Sequence, residues 1–267
     1  MPPFVHDIEP TDLAVLFAAV FVGSMILGIL LVKPILRLFV GRGDPTINQS
    51  IGSATATFSL FYALLAGLLT VAAYQNRERI QQHILAEANS VGVLYATMQA
   101  YPEPTRSEVQ AMLRDYVLFT IHRDWEAHRT GDYLNGGTNR ADALSAKLAG
   151  FVPDTPAMQA VHAETLRAMG GFMTARQNRL SGTNTGIPPV LWYAVLAGAV
   201  LNLLIIALLR MRPIAHILLG TISAFYLGVV LFVITILDDP LRGTAGLEPV
   251  AFERLWERQM RWDEQLV

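Results

Sequence analysis

The chain of 267 residues has no cysteine, which excludes disulfides, thiol chemistry and Cys-ligated zinc or iron–sulfur sites. It is also short of charge. Only 16% of its residues are charged, against about 25% in soluble domains, and the deficit is concentrated in four long uncharged runs. The net charge is −2 and no basic block occurs, so a nucleic-acid partner is not expected. With 52% hydrophobic residues the composition excludes a disordered chain and an ordinary soluble enzyme. The stretch Met1–Asp12 lacks the basic residues of a secretory signal and carries Asp7, Glu9 and Asp12 instead. The first apolar run therefore reads as a retained helix.

A spanning helix needs about 20 mostly apolar residues, since the hydrocarbon core is about 30 Å thick. Four segments meet that length: Leu13–Val32, Ile51–Tyr74, Ile187–Leu209 and Ile214–Leu237. The first two are joined by the turn-rich Gly41-Arg42-Gly43-Asp44-Pro45, and the last two by Arg210-Met211-Arg212-Pro213, short enough to impose a tight helical hairpin. The expected fold is an all-α membrane protein in which two transmembrane hairpins flank an extramembrane helical domain. Four parts are expected: an N-terminal hairpin over residues 1–76, the helical domain over 77–186, a C-terminal hairpin over 187–240 and an amphipathic helix over 241–267.

The polar middle reads as helical throughout. Ile80, Ile84, Val91, Tyr95 and Met98 recur at helical steps, and no breaker separates them from span two. That helix is predicted to run out of the bilayer as far as Tyr101-Pro102. Val109, Met112, Tyr116 and Val117 mark a helix introduced by Pro104-Thr105, while Gly131–Thr138 reads as a loop with Asn139 capping a short helix. Thr155-Pro156 starts a long helix, with Thr as N-cap and Pro at N1, which leads to span three through the Ser181–Gly186 linker. After Glu248-Pro249, Phe252, Leu255, Trp256 and Met260 share one face of a last helix.

Loop charges bear on orientation. Lys33, Arg37, Arg42, Arg210 and Arg212 lie in the short loops, which places those loops inside and the helical domain outside. Arg77, Arg79, Arg176 and Arg179 flank the membrane on the domain's side and oppose that reading.

No span holds an Asp, Glu, Lys or Arg in its interior, which argues against proton coupling. Asn202 in span three is the strong mid-depth hydrogen-bonder, either an intramembrane polar site or glue between helices. In span two, Gly52, Ala56, Ser59, Ala63, Gly67 and Thr70 form a stripe of small residues, and Ser53, Thr55 and Thr57 make one mouth mildly polar. Leu60, Leu64 and Leu68 step by four on an adjacent face. The stripe suits tight packing on a neighbouring helix. The leucines, repeated around an axis by several copies, suit a dewettable constriction. One four-span chain cannot enclose such a pore, so that reading requires a homo-oligomer.

Within Ile121–His128, His122 pairs with Glu126 and Asp124 with His128, but an ideal helix sets the two pairs about 160–200° apart. One metal cannot take both, and a solvated, salt-bridged face is expected. His162 with Glu164, and His83 with Glu87, read as structural. No phosphate loop, nucleophile elbow or zinc helix occurs, so neither an enzyme nor a cofactor is expected.

The hairpin–domain–hairpin order, span two's continuation through Gly67-Leu68-Leu69-Thr70-Val71-Ala72-Ala73-Tyr74-Gln75-Asn76-Arg77, and three further patterns resemble the bacterial bestrophin-like domain family. Those patterns are Ala160-Val161-His162-Ala163-Glu164-Thr165-Leu166-Arg167, Pro188-Pro189-Val190-Leu191-Trp192 and Leu237-Asp238-Asp239-Pro240-Leu241-Arg242-Gly243. The resemblance covers about Ile51 to Phe252. Bestrophins are pentameric anion-permeable channels whose second helix carries Phe-Arg-Thr-Asn-x-x-Tyr in bacterial members, overlapping a neck stepping by four. Laid on this chain, the tyrosine falls on Tyr74 and the threonine on Thr70, while Leu68 and Val71 replace the phenylalanine and asparagine. The neck falls on Leu60, Leu64 and Leu68. The resemblance thus implies a pentamer in a bacterial inner membrane that conducts small inorganic ions through a pore lined by span two, with Ser53, Thr57, Thr70 and Tyr74 at its mouths. The Arg-Trp-Trp that follows in bestrophins is Gln75-Asn76-Arg77 here, and the acidic calcium clasp shrinks to Asp238 and Asp239, which argues against calcium gating. Bestrophins hold their middle domain in the cytoplasm, opposite to the loop charges. The alternative is a membrane-anchored interaction or sensing protein without a pore.

Overall fold

The structure is a computed structural model, and it describes residues 8–32, 34–35, 45–182 and 186–261. Asp7, Lys33, Arg37, Arg42, most of the Gly41–Pro45 loop and the middle of the Ser181–Gly186 linker lie outside the described residues. Helix α1 spans Pro10–Leu27 and ends in a wider π turn, Gly28–Val32. Helix α2 runs unbroken over Pro45–Thr97 and tightens into a last turn at Met98–Ala100. Helices α3 (Thr105–Phe119), α4 (Trp125–Thr130), α5 (Asn135–Ala149) and α6 (Pro156–Ser181) follow. Helices α7 (Pro189–Leu208), α8 (Pro213–Asp238) and α9 (Val250–Leu255) complete the order, α9 continuing as a π segment, Trp256–Met260. No strand occurs among the described residues.

Among the described residues, four helices are long and apolar enough to cross a membrane: Pro10–Leu31, Asn48–Ala100, Pro189–Leu208 and Pro213–Asp238. Each contains or closely matches one of the expected spans. The chain divides into two compact units, one drawn from residues 1–75 and 186–238, the other from 76–185 and 239–267, and α2 contributes to both.

In the first unit, Tyr62, Ala66 and Leu69 of α2 pack with Trp192, Val195 and Ala199 of α7 and with Leu227, Leu231 and Ile234 of α8. Glycines mark the closest approaches. A Cβ at Gly198 would sit 2.7 Å from the Tyr62 ring, so that position has no room for a side chain, and one at Gly220 would sit 2.6 Å from the Met25 methyl, which would have to move aside. The tight turn between α7 and α8 is tied down by Asn48, whose Oδ1 accepts from Arg210 N at 2.7 Å. Across the same hairpin, the buried His216 ring donates through Nε2 to Ile206 O at 3.0 Å.

The second unit has its own core. Ile80, Ile84, Ala88, Val91 and Tyr95 of α2 meet Val109, Leu113 and Tyr116 of α3, Leu144 and Leu148 of α5, and Phe172 of α6. Thr155 caps α6 as expected, its Oγ1 accepting from Met158 N at 3.1 Å. Phe252 and Met260 anchor the last helix in this core. The stretch expected as a loop over Gly131–Thr138 is shorter: α5 begins at Asn135, and Asn139 lies inside it rather than capping it. The reason is tertiary. Leu134 N donates to Asp124 Oδ1 at 3.2 Å, and Gly136 and Gly137 let the first turn press against Phe119 and Arg176, where a Cβ would come within 2.7 and 3.0 Å.

Candidate pore face and the buried charge network

On α2 the core-facing row Tyr62, Ala66, Leu69 and Ala73 leaves the opposite face uncovered within the chain. Leu60, Leu64 and Leu68 lie on that outer face, 69%, 61% and 62% exposed. Thr57 and Ser53 are exposed one and two turns before them, and Tyr74 after them. Thr70 is half-buried and turns its hydroxyl back to Ala66 O at 2.8 Å. The helical step thus brings the three leucines and the two small hydroxyls to one surface.

The small-residue stripe does not serve close packing inside the chain. Nothing lies within 4 Å of a Cβ placed on Gly52 or Gly67. Instead Ser59, Ala63, Gly67 and Thr70 line a cavity of about 530 Å³ shared with Ile206 of α7 and Tyr226 and Val230 of α8. Asn202 also lines it, buried, and its Nδ2 donates to Ser59 Oγ at 3.2 Å. The bond joins α7 to α2, and in hydrocarbon such bonds average about 0.6 kcal/mol.

Asp238 closes the second hairpin. It is buried at the end of α8, where its Oδ1 accepts from Ile187 N at 2.5 Å and its Oδ2 from Trp192 Nε1 at 2.9 Å. Both oxygens are therefore committed to protein donors. Calcium takes six to eight oxygen ligands, several of them carboxylate, and among the described residues no group of three or more His, Cys, Asp or Glu could hold a metal. The remnant of the acidic clasp does not fit calcium. It is a hydrogen-bonded brace.

In the second unit the expectation of a solvated face over Ile121–His128 is overturned. His122 and Glu126 are exposed, but Asp124 and His128 are fully buried. They belong to a charged cluster that the sequence reading missed. Arg179 of α6, fully buried, donates through Nε to Glu87 Oε2 at 2.6 Å and through Nη2 to Asp124 Oδ2 at 3.1 Å. Tyr116 OH donates to Glu87 Oε1 at 2.5 Å. Arg179 Nη1 donates to His128 Nε2, and His128 Nδ1 faces Asp132 O at 2.9 Å; those partners assign the neutral ring with its proton on Nδ1. Burial and the Arg179 charge push the His128 pKa down. Burial alone would lower the Arg179 pKa, yet Glu87 and its neighbours raise it overall, so the guanidinium stays charged.

The signal for this cluster was present as a register. Glu87 stands three residues after Ile84 and four before Val91, inside the apolar row of α2. Arg176 and Arg179 continue the row Met169, Phe172 at steps of four and three. A charged residue in an apolar row marks a buried partner on a facing helix. Arg176 and Arg179, counted above as membrane-flanking charges, are therefore interior groups: Arg176 is buried and donates through Nη2 to Thr138 Oγ1 at 3.1 Å. The other expected His–Glu pairings do not form. His162 Nδ1 meets Tyr101 OH at 2.8 Å, Glu164 pairs with Arg167, and Glu87 faces Arg179 rather than His83.

The bestrophin-like domain family matches residues 16–252. No curated protein matches the chain in sequence. Among solved structures, a bacterial bestrophin homologue from Klebsiella pneumoniae, crystallised as a point variant, is 8% identical with a TM-score of 0.66, over 91% of this chain and 98% of that one. A homologue from the same organism, phased with zinc, is 10% identical with a TM-score of 0.66, over 91% and 97%. A crystal structure described as a membrane protein variant reaches a TM-score of 0.67 at 12% identity, over 91% and 97%. At such identities the likeness is one of fold. With the family's pattern along most of its length and that fold around four membrane helices, the chain is a multi-pass, all-α membrane protein that belongs to the bestrophin-like domain family.

Proposed function

We propose that the protein is a homo-oligomeric channel, pentameric as in bestrophins, that conducts small inorganic ions passively through a pore lined by α2. The observation that carries the reading is the leucine row: Leu60, Leu64 and Leu68 stand more than 60% exposed on one face of a single chain. Copies of that face around an axis would form three stacked apolar rings, which gate by dewetting. Ser53 and Thr57 would line one mouth and Thr70 and Tyr74 the other. A leucine ring has no preference between charges, so selectivity belongs to the mouths and to the helical domain, and anions are preferred by family likeness. Passive conduction fits the lack of an Asp, Glu, Lys or Arg in any span interior for coupling, and no catalytic group is assigned. The four hydrophobic parts of the chain would sit in a bacterial inner membrane with the domain over 77–186 on the cytoplasmic side, as in bestrophins. The boundaries at 76, 186 and 240 are carried over from the sequence as part of this reading.

The test has two arms. Leu→Ala at positions 60, 64 and 68 together is expected to raise ion flux from loaded liposomes at least severalfold, with the folded chain still assembling as more than two copies in native mass spectra. Unchanged flux from an assembled variant rejects the constriction. A wild-type monomer or dimer rejects the pore and favours a membrane-anchored interaction protein.

A further inference from the structure

The last helix carries more charge than its own packing uses. Phe252 and Met260 are buried in the core of the second unit, and the opposite side presents two charged rows. Glu253 and Glu257 form one, Arg254 and Arg258 the other, all four exposed. None of the four makes an ion pair or side-chain hydrogen bond among the described residues. Each row sets like charges four residues apart, a spacing at which like charges repel. Glu253 is followed directly by Arg254 in the α-helical turn and Glu257 by Arg258 in the π segment, so the acidic and basic rows occupy adjoining faces.

The basic row does not stand on open surface. Arg254 and Arg258 rim a groove of about 960 Å³ between the 246–259 segment and α2, lined also by Arg77 and Glu248. Leu85 and Val93 line the same groove and stay 45% and 56% exposed. The groove is thus a positively charged channel with uncovered apolar side chains, and the acidic row beside it is its complement in charge and spacing.

We propose that this groove receives the Glu253 and Glu257 face of a second copy of the chain, each last helix giving its acidic row to one neighbour and taking the other neighbour's at its basic row. The proposal rests on the oligomeric reading above. With the giving face turned to one neighbour and the receiving groove to the other, the contact is heterologous and passes from copy to copy, as a closed ring requires. Docking also takes Leu85 and Val93 out of water, and its strength falls as salt rises.

Full-length protein in detergent provides the test, through three variants whose subunit count is read by native mass spectrometry and whose folding is checked by circular dichroism. The double reversals Arg254→Glu with Arg258→Glu, and Glu253→Arg with Glu257→Arg, are each expected to weaken assembly at least tenfold. The fourfold exchange, which restores complementarity with every sign inverted, is expected to recover it. Folded double variants that assemble like the wild type overturn the proposal, as does a folded fourfold variant that fails to recover. If the basic reversal instead removes bound phosphatidylglycerol and leaves the subunit count unchanged, the groove holds a lipid and the proposal is wrong. A wild-type chain that never assembles sinks the oligomeric reading itself, whereas wild-type assembly indifferent to these reversals sinks only the contact.

Discussion

At the scale of single residues, the interior of the helical unit turns on Arg179. Its guanidinium is the counter-charge for Glu87 and Asp124, all three buried, and removing one member of a buried charge set strands the others at a cost of about 3–5 kcal/mol. Arg179→Met is expected to lower the stability of the purified protein by about that amount in denaturant titration; a loss under about 1 kcal/mol would show the carboxylates re-solvated. His128 adds a pH dependence with a definite sign. Its folded pKa lies below the ordinary value of about 6.5 because of burial and Arg179. Below that value the unfolded chain binds a proton that the folded chain refuses, so stability is full above pH of about 6.5 and falls as pH drops through the window beneath it. The slope is bounded at about 1.4 kcal/mol per pH unit for one proton. His128→Gln is expected to flatten thermal stability between about pH 5 and 6.5, leaving only the carboxylate transition at lower pH. An unchanged acid limb would assign the slope to other groups.

Helices set the next level. The breaker-free run from span two into the polar middle was legible in the sequence, since Ile80, Ile84 and Val91 keep the apolar register of a single rod, and the rod appears as α2. The start of α5 was not, because it depends on Asp124 Oδ1 reaching Leu134 N across the fold, a contact that local turn chemistry cannot announce. Asp238 carries the prediction at this scale. Its carboxylate joins the start of α7 to the end of α8, and Asp238→Ala leaves the buried Trp192 Nε1–H without its acceptor. The expected cost is about 1–3 kcal/mol, seen as a lower melting temperature, with wild-type melting indifferent to calcium or EDTA. A calcium-dependent shift in the wild type would reopen the metal reading.

For the whole molecule, the hydropathy pattern and the family match agree on a four-span protein, while the loop charges and the family likeness disagree on its orientation. Burial of Arg176 and Arg179 removes two charges from the domain side of that comparison and leaves Arg77 and Arg79. The cytoplasmic assignment therefore rests on family likeness alone. The absence of native cysteine makes it easy to check. Ser107→Cys, exposed in the helical unit, is expected to resist a membrane-impermeant maleimide in intact spheroplasts and to react after lysis. Labelling of the intact cells would invert the topology and hand the decision to the loop charges.

Periodicity and composition alone determined the number of membrane helices, the helical middle and the leucine row, because each depends on a property summed or repeated along the chain: apolar length against bilayer thickness and the helical step against residue type. Only tertiary structure decided that Asp124 and His128 are interior, that Asn202 is spent on Ser59, and that both Asp238 oxygens accept from protein donors. Those outcomes depend on which side chain arrives from another helix, Arg179 above all, coming from 92 residues beyond Glu87. A charged residue in an apolar register shows that a partner must come, and the fold alone says which one.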